Sequence, residues 1–208
     1  MGALKQYHSG DHAITVKSGG NSDGKGLNGF LLDWALTEPR GVVAKPKRQI
    51  LAEFFTSMLI LSAKFKYKPA INVPNYLYWI DTEWSLSLIA PQEWSTERRA
   101  GFACKCLLQP DMTWTIEPSK LLAGKNAVSN AVGKFYDSFA ETLNSDLTLE
   151  EILPFYVQEM PYYQRLHANA LSRSIRGAVT IGGQTSVQCR DWQTRLPQLD
   201  RVLLSFKN

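Results

Sequence analysis

Two rhythms of apolar positions run along this chain. Between Trp84 and Ala90 they alternate: Trp84, Leu86, Leu88 and Ala90 fall on one side, Ser85, Ser87 and Ile89 on the other. A period of two predicts a half-buried strand. The aromatic and β-branched run Tyr76–Ile80 predicts another strand before it, with Asp81, Thr82 and Glu83 as the hairpin loop. Pro91 ends the second strand because it has no N–H to give a ladder. Residues Gln92–Ser95 predict one helical turn anchored by Trp94. A third alternating run, Gly101–Gln109, sets Phe102, Cys104, Cys106 and Leu108 against Ala103, Lys105 and Leu107. After the turn at Pro110-Asp111, Met112–Ile116 returns as a shorter fourth strand. Short connections favour antiparallel neighbours, so the expected topology is a meander.

Elsewhere the rhythm is helical. Ile50, Leu51, Phe54, Phe55, Met58, Leu59 and Leu61 form a broad stripe that predicts a helix over 47–63, with Pro46 opening its first turn. This helix is expected to cross the sheet. Residues 27–36 predict a shorter helix. Beyond Pro118, Asn126–Leu143 carries apolar residues at helical spacing, and Thr148 and Glu151 form a capping box that starts a helix at Leu149. Pro161 opens a further helix that Gly177 is expected to stop, and Ala178–Val187 then predicts a hairpin around Gly182-Gly183. A last helix, Gln188–Phe206, is broken at Pro197. The fold class is therefore α+β: an antiparallel β-meander of three to five strands packed by helices, with a mainly helical C-terminal half. The expected organisation is a flexible Gly-rich arm at 1–26, a helix-plus-sheet core at 27–118 and a helical extension at 119–208.

The strand block also carries a resemblance. Leu77 and Tyr78; Ser87, Ile89, Pro91, Glu93 and Trp94; Phe102; and Leu108, Gln109, Asp111, Met112, Thr113, Trp114 and Thr115 stand at the spacings of a family catalogued as domain of unknown function 2452. The block resembles the core of that family over about residues 76–115, without a gap from Glu93 to Thr115. The resemblance implies a shared sheet unit. It brings no chemistry, since the family has none assigned.

Composition narrows the classes. With 208 residues, 44% hydrophobic and 20% charged, the chain can bury a real core. Its net charge of +4 is too mild for a dedicated nucleic-acid binder. Three cysteines make no disulfide framework and favour a reducing compartment, so the cytoplasm is the expected location. The N-terminus has no apolar signal core, and no run reaches the about 18 apolar residues a membrane span needs.

Candidate chemistry is sparse. Gly19, Gly24 and Lys25 match most of a phosphate-cradling loop, but Gly26 stands where a Mg²⁺-binding hydroxyl belongs, and a glycine-rich linker is the expected role. His8 and His12 lack a helical frame for a metal, and Cys104 and Cys106 are expected as small buried hydrophobes, so neither metal nor cofactor is expected. Glu93, Asp111 and His167 are the weak catalytic candidates, alongside the pair Asp81 and Glu83. Arg40, Lys45, Lys47, Arg48, Lys64, Lys66 and Lys68 are the candidate polyanion-binding cations, with Tyr76, Tyr78 and Trp79 placed to stack bases beside them. The leading expectation is a non-catalytic protein-interaction or oligomerisation module. It would use Tyr76, Tyr78, Trp79, Trp84 and Trp94 as an aromatic anchor on the sheet. RNA or another polyanion is the second expected partner, and carboxylate acid/base catalysis is the third reading.

Overall fold

A computed structural model describes residues 26–154 and 160–204. Residues Met1–Leu36 and Thr37–Asn208 form two separate units. In the first, helix α1 spans Gly26–Leu36, with the Phe30 and Trp34 rings 5.8 Å apart, one helical turn from each other.

The second unit is built on helix α2, Lys47–Leu61. Nearly every position from Ile50 to Leu61 is buried, which is what a helix surrounded by other elements requires. Four antiparallel strands lie against it: β1 Pro74–Ile80, β2 Glu83–Ser87, β3 Phe102–Leu108 and β4 Trp114–Pro118. The α+β class with an antiparallel sheet holds. The spatial order is β2-β1-β3-β4, so the third strand pairs with the first and not with its sequence neighbour. The connection explains this departure from sequential order. Asp81 and Thr82 both take positive φ and close a two-residue hairpin between Ile80 and Glu83, so Glu83 belongs to the strand and not to the loop. Segment 88–101 is long enough to cross β1. It holds a short 3-10 turn, Pro91–Glu93, and helix α3, Thr96–Arg99. Its Trp94 meets Tyr78 edge-on at 6.1 Å between ring centroids.

Strand β2 stops at Ser87, short of the expected Ala90, and Leu88 and Ile89 are exposed. A bulge between Leu77 and Tyr78 breaks the β1–β3 register. Beside it, a Cβ on Gly101 would sit 2.3 Å from the Trp79 carbonyl oxygen, so only glycine fits there.

One sheet face carries Leu77, Trp84, Leu86, Cys104, Cys106, Leu108, Trp114 and Ile116, all buried against the helices. Each fully buried large side chain contributes about 1.5–3 kcal/mol. Helix α4, Ala127–Leu143, closes the layer: Phe139 packs edge-on against both Phe54 and Phe55 of α2. Two α2 hydroxyls bond the β4 backbone. Thr56 Oγ1 donates to the Trp114 carbonyl at 2.8 Å, and Ser57 Oγ accepts from the Trp114 N–H at 2.9 Å.

The C-terminal half is helical, with one correction. Helix α5, Leu149–Ile152, begins at the Thr148/Glu151 box as expected. Helix α6 runs Tyr162–Ile181, straight through Gly177, so no hairpin forms at 178–187. Gly177 is there for packing: a Cβ would lie 3.1 Å from Val42 Cγ1, and Ala178 and Val179 are buried. Tertiary burial outweighs the roughly 0.5–1 kcal/mol that an interior glycine costs a helix. The stop comes instead at Gly182-Gly183, with Gly183 at φ +63°. Helices α7, Cys189–Gln193, and α8, Leu199–Leu204, are separated by the break that contains Pro197.

Candidate functional site

Three segments of the second unit meet at an open cleft of about 750 Å³. The first is loop 38–46. The Arg173 guanidinium of α6 pairs with Glu38 and donates to the Thr37 carbonyl, and the Arg40 N–H donates to the Pro110 carbonyl at 2.9 Å. The second is the N-terminal end of α2, where Pro46 precedes the helix and no side chain caps the first turn. The third is the β3–β4 turn. There Asp111 Oδ1 accepts from the Thr113 N–H at 3.1 Å and from Thr113 Oγ1 at 2.7 Å, while Met112 takes φ +65° with its side chain buried.

Lys45 ties the three together. Its ammonium donates to Glu53 Oε2 at 2.6 Å and to Asp111 Oδ2 at 2.7 Å, and Gln49 Nε2 donates to Glu53 Oε1 at 2.9 Å. Only 10% of the Lys45 side chain is exposed. Burial opposes its charge, but the hydrogen bonds and charges of Asp111 and Glu53 outweigh burial and hold Lys45 above its ordinary 10.5. Burial likewise pushes Asp111 up, yet the bonds from Lys45 and Thr113 prevail and hold it below its ordinary 3.8. All four carboxylate oxygens of Glu53 and Asp111 therefore already accept from a protein donor. The cleft also holds two cations that are not used this way. Arg40 and Arg48 are exposed on its walls, and neither side chain forms an ion pair or hydrogen bond among the described residues.

The seven expected cations do not form one patch. Arg40, Lys45 and Arg48 line the cleft beside the β3–β4 turn. Lys64 lies at the opposite edge of the sheet, where its backbone pairs with β2 and its ammonium with Glu83 at 2.6 Å. Lys66 is exposed two residues on, Lys47 stacks over the Trp192 ring at 5.0 Å, and Lys68 is half-buried. Among the expected anchor aromatics, Tyr78 and Trp84 are buried and Tyr76, Trp79 and Trp94 half-buried. Trp79 and Trp84 pair across the hairpin at 4.8 Å, and Arg98 stacks on Trp94 at 4.4 Å. A second, smaller groove of about 290 Å³ lies on the outer sheet face. Tyr76, Phe102 and three prolines line it, together with the pair Lys105 and Glu117.

The weak catalytic candidates are scattered. Glu93 is exposed and accepts from the Ala90 N–H at 3.0 Å, Asp111 holds Lys45, and Asp81 and Glu83 sit at the hairpin. His167 is buried in α6, and burial, with help from Lys68, lowers it to about 4. Neither of its ring nitrogens has a hydrogen-bond partner among the described residues. Cys104 and Cys106 face each other at 3.6 Å between sulfurs, and burial keeps the Cys106 thiol well above its ordinary value. Gly19, Gly24, Lys25, His8 and His12 lie outside the described residues. Among the described residues there is no group of three or more side chains that could hold a metal, and no helix long and apolar enough to cross a membrane.

Sequence reasoning missed Glu53, the partner that makes Lys45 structural. A signal was present: Glu53 is a lone acid inside the apolar run Ile50–Phe55. Buried carboxylates are paired almost without exception. No family model, curated protein or solved structure matches the chain.

Proposed function

We propose that this protein is a non-catalytic binding module that takes an anionic ligand in the Arg40–Arg48 cleft. One observation carries the reading: every carboxylate oxygen of Glu53 and Asp111 already accepts from a protein donor, whereas the two arginines are unspent, so three cations face two acids in the cleft. A guanidinium offers five donors in a planar fork suited to oxyanions. The uncapped end of α2 adds a favourable dipole on the same wall. A catalytic reading finds no support in the placement of Glu93, Asp111 and His167.

Isothermal titration of the whole chain with inorganic pyrophosphate at low salt tests the proposal. Replacing both arginines by alanine is expected to weaken binding at least about tenfold, equivalent to about 1.4 kcal/mol. Undiminished binding by the double variant, or none by the parent, would refute it.

Protein interaction or self-association through the outer sheet face remains as a second reading. It rests on the half-buried Tyr76 and Phe102 rings, 6.2 Å apart in the smaller groove. Cross-linking followed by light scattering tests it, and a strict monomer over a wide concentration range would argue against self-association. We further propose kinship of residues 76–115 with domain of unknown function 2452, and a cytoplasmic home, the latter supported by three free, buried cysteines.

A further inference from the structure

The cleft is built without a single aromatic side chain: arginine, lysine, proline, glutamine, threonine, the two carboxylates and small residues make up its walls. Tyr76, the ring that sequence places beside the basic run, lines the other groove, on the outer face of the sheet. Proteins that hold single-stranded nucleic acid stack bases on aromatic rings, which strengthens binding about 5- to 150-fold per base. No aromatic ring lines this cleft to do that. Its acceptors facing a ligand are also few, because each oxygen of Glu53 and Asp111 already receives a protein donor and Thr115 Oγ1 accepts from Gln109 Nε2 at 2.7 Å. A ligand that needs its own donors satisfied gains little here. One that offers many anionic oxygens gains two guanidinium forks. The volume lies well inside the about 300–1,000 Å³ of ordinary ligand pockets, so it exceeds what one orthophosphate fills.

We propose that the ligand of this cleft is a chain of phosphates held through its anionic oxygens alone, with no contribution from any base attached to it. The inference rests on reading the cleft as an anion site. Phosphodiester backbone and inorganic polyphosphate share this chemistry, and the test separates them.

Fluorescence anisotropy of the whole chain at low salt would use labelled oligoadenylate and oligouridylate of equal length. Inorganic polyphosphate of matched charge and orthophosphate would serve as competitors. The two oligonucleotides are expected to bind within about threefold of each other. Polyphosphate should displace both, orthophosphate should compete at least about tenfold more weakly, and Arg40→Ala with Arg48→Ala should weaken every ligand by a similar factor. Where neither oligonucleotide binds, isothermal titration that shows polyphosphate binding would identify the inorganic chain as the source and support the inference. A tenfold preference for one base, or failure of polyphosphate to compete, would overturn the inference and leave an anion site standing. Orthophosphate competing as well as polyphosphate would also overturn it, in favour of a single-phosphate site. Absence of binding to all four, or binding indifferent to both arginines, would overturn the anion site itself.

Discussion

Lys45 and His167 are both withdrawn from water, and they keep opposite charge states. Lys45 sits between two carboxylates and stays charged more firmly than a free lysine, whereas His167 has no hydrogen-bonding partner among the described residues and stays neutral down to about pH 4. Burial penalises charge in both places. What differs is whether the fold supplies partners, and that decides whether a titratable group becomes a charged clamp or a piece of core.

The sharpest way to break this comparison is to remove the clamp. Lys45→Met leaves Glu53 and Asp111 facing each other without a cation, and chemical denaturation at pH 7 is expected to show a loss of about 3 kcal/mol or more. A loss near zero would mean the cluster holds nothing together. His167 comes next. Its folded value near 4 lies below the ordinary 6.5, so the unfolded chain binds more protons between those limits and stability falls as pH is lowered through them. At about 1.4 kcal/mol for each pH unit the loss reaches about 3 kcal/mol, and His167→Leu should abolish that slope. An unchanged slope in the variant would show that the histidine is not its origin.

Asp111 acts in a separate window. Its folded value lies below 3.8, so its contribution is complete above that pH and is lost as the pH falls further, through the folded value. Asp111→Asn keeps an acceptor for Thr113 but loses the ion pair, and is expected to cost about 1–3 kcal/mol at pH 7. The smallest effect belongs to Lys64 and Glu83, whose side chains are 72% and 55% exposed. Glu83→Gln should cost less than about 0.5 kcal/mol and nothing at all in high salt, and a larger loss in a urea titration would show the pair to be more than a surface contact.

Much of this architecture is written locally. The stripe from Ile50 to Leu61, the alternation around Trp84 and Cys104 and the Thr148/Glu151 box each need only a few neighbouring residues, and each yields its element, although the Trp84 strand ends three residues early. The strand order was hidden because it depends on Trp94 folding back over Tyr78, a contact no periodicity encodes. Gly177 misled for a related reason. Its meaning lies in Val42, far away in the chain, and not in the turn that a glycine usually announces. The cleft is half visible in the sequence: Arg40, Lys45 and Arg48 stand out as cations and Asp111 as an acid, with nothing local to join them. Lys45 and Asp111 stand 66 positions apart, and only the folded chain shows that one of the expected ligand-binding cations is spent on one of the expected acids.

The hydroxyls of Thr56 and Ser57 have a further consequence. A sheet grows when the outermost strand offers its unused amides and carbonyls to a neighbour, and at Trp114 both have been claimed by the helix behind it. Strand addition from another molecule is blocked at that position. Removing the two hydroxyls would return that amide and that carbonyl to the set an incoming strand can pair with.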